Sequence, residues 1–439
     1  MKRILAVIIM LSTVLVFSGC TMLTVDQMYS LPKRSEDDQK LQNAIDSKMA
    51  GLEYSAPLTG ENQQSVQSAD IDGDGANEYL VFTKGTSDKP LRILIFKEIK
   101  NEFTLLDTIE STGSAFMQVE YVQMDGVGGK EIVVGHQISD QLIRSVSVYT
   151  CLNAEIKPFL TVNCTKFLTL DMDTDGNNEL FVVRPGQVDT DNGIAELYAV
   201  QNGVMERFNE ASMSCPADKL KRIVVGKLQD MRTAVYTASS TGDTALITDV
   251  YTLLNGVFTN VSFSNESGTS VSTLRNYFVY AEDIDEDGIV ELPDLNTVVP
   301  LPETDESQRY EMIRWYSMSS DGTETNKFFT YHNFNSGWYL RLDDAWAYYL
   351  NVDRSSGHDE LYVWDKNYEN ATKIVTIASY TGKNRVEQAS IDGFTVILQT
   401  DSVVYAAKLS EGAQSIGLNE VKLLRDFQLI RQEWKTGEI

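Results

Sequence analysis

The sequence has 439 residues, 42% of them apolar and 10% aromatic, which suffices for a well-filled core and excludes a disordered chain. Its formal charge is −26, from 63 acidic against 37 basic residues, so it repels nucleic acid and anionic lipid headgroups. Nucleic-acid binding is thereby excluded, and the acidity suits cations instead.

Lys2 and Arg3 precede an apolar run from Ile4 to Phe17. That run is shorter than the roughly 20 residues a spanning helix needs, so residues 1–19 read as an export signal. It ends at Phe17-Ser18-Gly19-Cys20, which resembles the bacterial lipobox, with Phe17 where leucine is usual. The resemblance implies lipidation of Cys20 and a mature protein held at a membrane surface on the extracytoplasmic side. Acyl chains contribute about 0.8 kcal/mol per buried CH₂. The other cysteines, Cys151, Cys164 and Cys215, are odd in number and form no C-x-x-C pair, which argues against zinc or redox chemistry and for buried thiols.

Residues 20–60 read as a tether with one short helix. Ser35 is a good N-cap, Glu36, Asp37 and Asp38 complement the helix dipole, and Leu41, Ile45 and Met49 share a face. Gly51 ends the segment, and so polar a helix is expected to pack on the rim of the main domain.

From residue 61 to 439 the helical period is replaced by a repeat of about fifty residues: an Asp/Gly-rich turn, a short apolar strand, then a hairpin. The turns centre near Asp74, Val127, Asp175, Asp230, Asp287, Asp343 and Asp392. Such a period in all-β sequence points to propeller blades. Strands such as Tyr79–Phe82, Ile132–Val134 and Leu180–Val183 are unbroken apolar runs, as expected of strands buried on both faces. Asn202-Gly203, Asn255-Gly256 and Asp321-Gly322 are hairpin turn pairs. The expected fold is therefore an all-β, seven-bladed β-propeller, with six or eight blades as alternatives because the last two units are degenerate.

Three turns carry the pattern D-x-D-x-D-G-x-x-E: Asp70, Asp72, Asp74 and Glu78; Asp171, Asp173, Asp175 and Glu179; Asp283, Asp285, Asp287 and Glu291. Alternate carboxylates in a tight loop can converge on one point, and the carbonyls of Ala76, Asn177 and Ile289 at position seven supply a further oxygen each. Ca²⁺ takes six to eight oxygen ligands, so about three structural Ca²⁺ sites are expected. An EF-hand would need a glutamate at position twelve between two helices. Val81, Val182 and Asp294 stand there instead, and Pro293 opposes helix continuation. Asp294 leaves a dockerin-like reading open for its loop, although no second copy follows.

These strand–acidic loop–strand units resemble the FG-GAP/VCBS repeats of integrin-α propellers and bacterial surface proteins. The resemblance spans residues of about 65 to 430 and implies Ca²⁺ bound in a hairpin at one propeller face, through the acids and position-seven carbonyls named above. The second unit departs from the pattern, with Gln123, Asp125 and Val127 at the first, third and fifth positions and only Glu131 kept; the fourth retains Asp230 alone. No metal is expected in either.

The three histidines, His136, His332 and His358, lie in unrelated settings, and no H-E-x-x-H, G-x-S-x-G or phosphate-cradling loop occurs. The aromatic stretch from Tyr331 to Tyr349 reads as blade packing ahead of a sugar-stacking platform. The loops Arg184–Gly193 and Ser264–Ser270 are ligand-contact candidates by position alone. The expectation is a non-catalytic, envelope-anchored binding, adhesion or scaffold lipoprotein with a protein or glycan ligand. An assembly factor of a membrane complex and a glycan-active enzyme are its rivals.

Overall fold

The computed structural model describes residues 36–138, 144–152, 155–186, 192–298, 311–354, 356–391 and 393–431. The signal segment, Cys20, Ser35 and Asp392 lie outside the described residues.

Antiparallel sheets of four or five strands dominate, and the chain is a β-propeller whose blades follow one another in sequence. The first sheet is built from Val66–Ala69, Glu78–Lys84, Leu91–Ile99 and Glu102–Ser111, with Glu53–Tyr54 extending its inner edge. The second, third and fourth start at Ala115, Lys166 and Leu220, and each runs as a four-stranded meander. The fifth contains Glu291–Thr297 through Trp338–Leu342 and is completed by Phe427–Leu429 from the C-terminal segment. The sixth runs from Leu350 to Leu409, and its last two strands exchange order.

Six sheets therefore stand among the described residues where seven repeat units are expected. The reason is local. Asp343 does not open a blade but caps a one-turn helix, Asp344–Ala347, accepting from the Ala345 amide at 3.0 Å. Asp392 falls inside the sixth sheet's own connection between Ala371–Thr381 and Thr395–Gln399.

The unbroken apolar runs have a clear cause. Each central strand faces a neighbouring sheet on both sides, so alternate residues are buried in opposite directions. Ile132 and Val134 pack on Leu80, Phe82 and Ile93 of the first sheet, whereas Val133 between them packs on Leu180 and Val182 of the third. Phe181 continues the series toward Val235, Tyr251 and Phe258 of the fourth. Fourth strands, such as Val204–Ser212, are largely exposed and form the outer edge.

The helix Glu36–Asp46 buries Ile45 against Val81, Leu94 and Phe96, with Leu41 and Met49 beside it, so it does pack on the first sheet. Asn202-Gly203 and Asn255-Gly256 both adopt positive φ at each residue, as their hairpins require. Asp321-Gly322 differs: only Gly322 has positive φ, and the link is a longer loop in which the Asp321 carboxylate accepts from the Thr323 amide at 2.9 Å. Trp338, Tyr331 and Trp346 are core residues joining the fifth and sixth sheets, in line with the packing reading of that aromatic stretch; Tyr348 alone is well exposed there. Cys151, Cys164 and Cys215 are buried, and burial pushes the Cys164 and Cys215 thiols up to about 12 and 11.

Candidate metal centres

The nine-residue acidic loops connect the first and second strands of sheets one and three. In sheet five the first strand is reduced to the bridge Glu282–Glu291, and the loop lies just behind it. Strand pairing on either side closes each loop into a hairpin, and the glycine at position six takes the left-handed conformation: φ is +88° at Gly75, +94° at Gly176 and +87° at Gly288.

Within the loops the carboxylates do two jobs. One oxygen of the first-position acid accepts from the position-six amide: Gly75 to Asp70 at 3.0 Å, Gly176 to Asp171 at 3.0 Å, Gly288 to Asp283 at 2.8 Å. The fifth-position acids Asp74, Asp175 and Asp287 accept from the amides of Ala76, Asn177 and Ile289 at 2.9, 2.7 and 2.8 Å. The ninth-position glutamates are buried, and each accepts from the amide at position two: Ile71, Met172 or Ile284.

The carboxylates also converge. Asp70, Asp72 and Glu78 each offer one oxygen within 4.8 Å of the other two, as do Asp171, Asp173 and Glu179, and Asp283, Asp285 and Glu291. The first, third and ninth positions are thus brought together as the spacing predicts, and the fifth-position acids stand outside these groups.

The second loop shows that the turn itself does not need the charge. Gln123 stands at its first position, and its Oε1 accepts from the Gly126 amide at 3.1 Å. Asp125 accepts from Val127 at 2.8 Å, and Glu131 from Met124 at 2.8 Å. The same hairpin forms with far fewer carboxylates, so backbone capping alone does not account for four acids in the other loops.

The electrostatics of the acidic loops are correspondingly strained. Burial pushes the Glu179 carboxyl up to about 7, and the charges of Asp173, Asp175 and Asp171 add to it against the Met172 amide. Burial and the Asp285 charge push Glu291 up to about 8. Asp285 Oδ1 and Glu291 Oε1 are buried without a hydrogen-bond partner, an unusual state for carboxylate oxygens. An all-oxygen set of converging, undercompensated carboxylates fits a hard divalent cation such as Ca²⁺.

Acidic and neutral loops alternate around the sheets. The loops of sheets one, three and five are acidic; sheet two has Gln123 and Val127, sheet four pairs Asp230 with Arg232 at 3.3 Å, and sheet six places Arg354 against Asp359 at 2.6 Å. Adjacent loops touch: the Lys130 amide donates to the Asp70 carbonyl at 3.0 Å, and the Asn178 amide to the Gln123 carbonyl at 2.7 Å. Alternation therefore keeps the strongest negative charges apart.

Two lysines that local sequence does not point to also reach these loops. Lys97, from the third strand of sheet one, contacts Asp72, Asp74 at 2.7 Å and Glu78 at 3.0 Å. Burial opposes its charge, yet the three carboxylates raise its pKa above the ordinary ammonium value. Lys327, from the strand Glu324–Asn333, lies 2.9 Å from Asp287 and 3.8 Å from Glu291, and the first contact holds the Asp287 pKa down.

His136 and His332 lie in strands of sheets two and five, and His358 in the bend before the strand Asp359–Trp364 of sheet six; burial holds the first down at about 4 and the second at about 3. The fold and its loops define an all-β propeller with, among the described residues, three carboxylate clusters able to hold metal ions.

No protein-family model matches the sequence, and no curated protein matches it. Among solved structures it is similar to the exotype rhamnogalacturonan lyase YesX, at 13% identity over 74% of this chain and 69% of the other, with a TM-score of 0.28. It is also similar to a protein from Lactobacillus plantarum, at 10% identity over 72% of this chain and 85% of the other, with a TM-score of 0.26. Likenesses this distant carry no functional argument.

Proposed function

We propose that this chain is a non-catalytic lipoprotein of the cell envelope, anchored through Cys20 on the extracytoplasmic side, whose FG-GAP/VCBS-type propeller is stabilised by Ca²⁺ and serves as a binding, adhesion or scaffold module. The observation that carries the metal part is the convergence of three carboxylate oxygens in each acidic loop around a buried ninth-position glutamate. The export signal and the cysteine at its end support the anchor. The rigid repeat scaffold suits presentation of loops to a protein or glycan ligand, although a fold by itself does not define one.

Ca²⁺ at millimolar concentration is expected to raise the melting temperature over that in chelator. A site with a Kd of about 10⁻⁴–10⁻³ M contributes roughly 1 kcal/mol by mass action. The gain should come from the acidic loops specifically, so Asp173→Ala should lose one equivalent of bound Ca²⁺ by calorimetry while Asp125→Ala, at the matching place in sheet two, keeps the wild-type count. Equal behaviour of the two variants, or melting curves indifferent to chelator, would sink the metal reading.

Replacing Cys20 with serine is expected to move the protein from the membrane pellet to the soluble exported fraction. Retention in the pellet after a high-salt wash would place the anchor elsewhere.

A further inference from the structure

The three acidic loops share a pattern but not an electrostatic solution. In sheet one, Tyr79 pairs with Phe96, so Lys97 is the next residue along the ladder, facing Glu78. Its ammonium touches Asp72, Asp74 and Glu78, which are three of that loop's four acids. With a side chain only 16% exposed, it sits inside the loop rather than on its surface. Nζ lies within ion-pair distance of all three carboxylates, and its hydrogen bond goes to Asp72; Glu78 Oε1, 3.0 Å away, has no hydrogen-bond partner.

The equivalent positions elsewhere carry no cation. In sheet three Leu180 pairs with Tyr198, which places Ala199 beside Glu179, and among the described residues no lysine or arginine forms an ion pair with Asp171, Asp173, Asp175 or Glu179. In sheet five Glu291 pairs with Ser317. Lys327 comes from a different strand and holds Asp287 at 2.9 Å, but its Nζ stays 3.8 Å from Glu291, against 3.0 Å from Lys97 to Glu78, and it forms no ion pair with Asp285.

We infer that Lys97 is a resident cation that takes the place of the metal ion in the loop of sheet one, so that metal binding is confined to the loops of sheets three and five. The inference rests on the Ca²⁺ reading above and refines it. A divalent ion entering the first loop would have to expel an ammonium already surrounded by the carboxylates it needs. Removing that ammonium while keeping an apolar stem should therefore create a site: Asp70, Asp72 and Glu78 would keep their convergence and lose their counter-charge.

The test is Ca²⁺ stoichiometry by calorimetry on the folded protein, for the wild type, Lys97→Met and Asp72→Asn. The wild type is expected to bind two equivalents and Lys97→Met three, with the melting temperature of Lys97→Met lower than wild type in chelator and more strongly raised by Ca²⁺. Asp72→Asn, which leaves the fold's backbone contacts in place, is expected to keep two equivalents. No gain in Lys97→Met, or a loss of one equivalent in Asp72→Asn, overturns the role of Lys97. The Ca²⁺ reading itself is decided separately by the wild type: a chain that binds no Ca²⁺ refutes that reading, while the difference between wild type and Lys97→Met still judges Lys97. Should Lys97→Met fail to fold, Asp72→Asn alone decides the inference.

Discussion

Gly129→Ala is expected to destabilise the protein by about 3 kcal/mol, near the upper end for overpacking, because the added methyl group has nowhere to go. A Cβ at this position would lie 2.2 Å from the Ile71 carbonyl carbon, 2.4 Å from its oxygen and 2.6 Å from the Asp72 nitrogen. All three are backbone atoms of the first acidic loop, and that loop is pinned to the second by the hydrogen bond from Lys130 to Asp70 at 3.0 Å. Neither side can yield by rotating a side chain. Gly73 makes the reciprocal approach, its Cβ direction meeting the Gly128 carbonyl carbon at 2.4 Å. Gly203→Ala supplies the control: its φ of +76° imposes strain, but the space around it is open. That substitution should cost roughly 1 kcal/mol. Denaturant unfolding of both variants checks the comparison, and equal losses would mean that the two loops are not in backbone contact.

The contrast between these glycines shows where local sequence stops being informative. The acidic loops are legible because their ligands lie within nine residues of one another, and a hairpin with glycine at position six leaves few ways to arrange them. The helix face of Leu41, Ile45 and Met49 and the Asn-Gly hairpins are legible for the same reason. Gly129, by contrast, stands in what reads as a degenerate copy of the acidic motif, when it lets a neighbouring loop come close. Lys97 and Lys327 reach their carboxylates through strand register, which a local pattern does not encode. The hairpin at Lys100-Asn101, with φ of +52° and +67°, escapes notice because its first residue is not a typical turn former. Counting turns gives seven units against six sheets among the described residues, for a different reason. Turn signals at Asp343 and near Asp392 continue the fifty-residue period, but the first caps a short helix and the second falls in sequence between two strands of the sixth sheet, so counting turns overcounts sheets.

The contribution of Glu131 to stability is expected to fall as pH rises through the range 5–7, and Glu131→Gln is expected to remove that fall. Glu131 sits at the ninth position of the second loop, 2% exposed, with Val127 and Gln123 where its acidic partners would be. Burial pushes its carboxyl up to about 7 from an ordinary 4.5, and the nearby Asp125 charge acts in the same direction. Hydrogen bonds from the Met124 amide at 2.8 Å and the Thr150 hydroxyl at 3.1 Å oppose the shift without cancelling it. The sign follows from proton binding. Between the unfolded and folded pKa values the folded state holds a proton that the unfolded state has released, so raising the pH favours unfolding. One pKa unit corresponds to about 1.4 kcal/mol, so a shift from 4.5 to about 7 makes the cost of ionising Glu131 in the folded state on the order of 3 kcal/mol by pH 8. Glutamine keeps an acceptor for the Met124 amide and can donate to Thr150, and it carries no charge to desolvate. Wild type and Glu131→Gln should therefore be similar in stability near pH 4.5, with the variant gaining by about 3 kcal/mol at pH 8. The measurement is denaturant unfolding of both proteins across that range in chelator, taking the difference at each pH so that Glu179 and Glu291, which titrate in the same direction, drop out. A difference that stays flat with pH would mean that Glu131 is already ionised at little cost. A variant that is less stable at pH 8 would mean that its charge is compensated by a cation at the second loop.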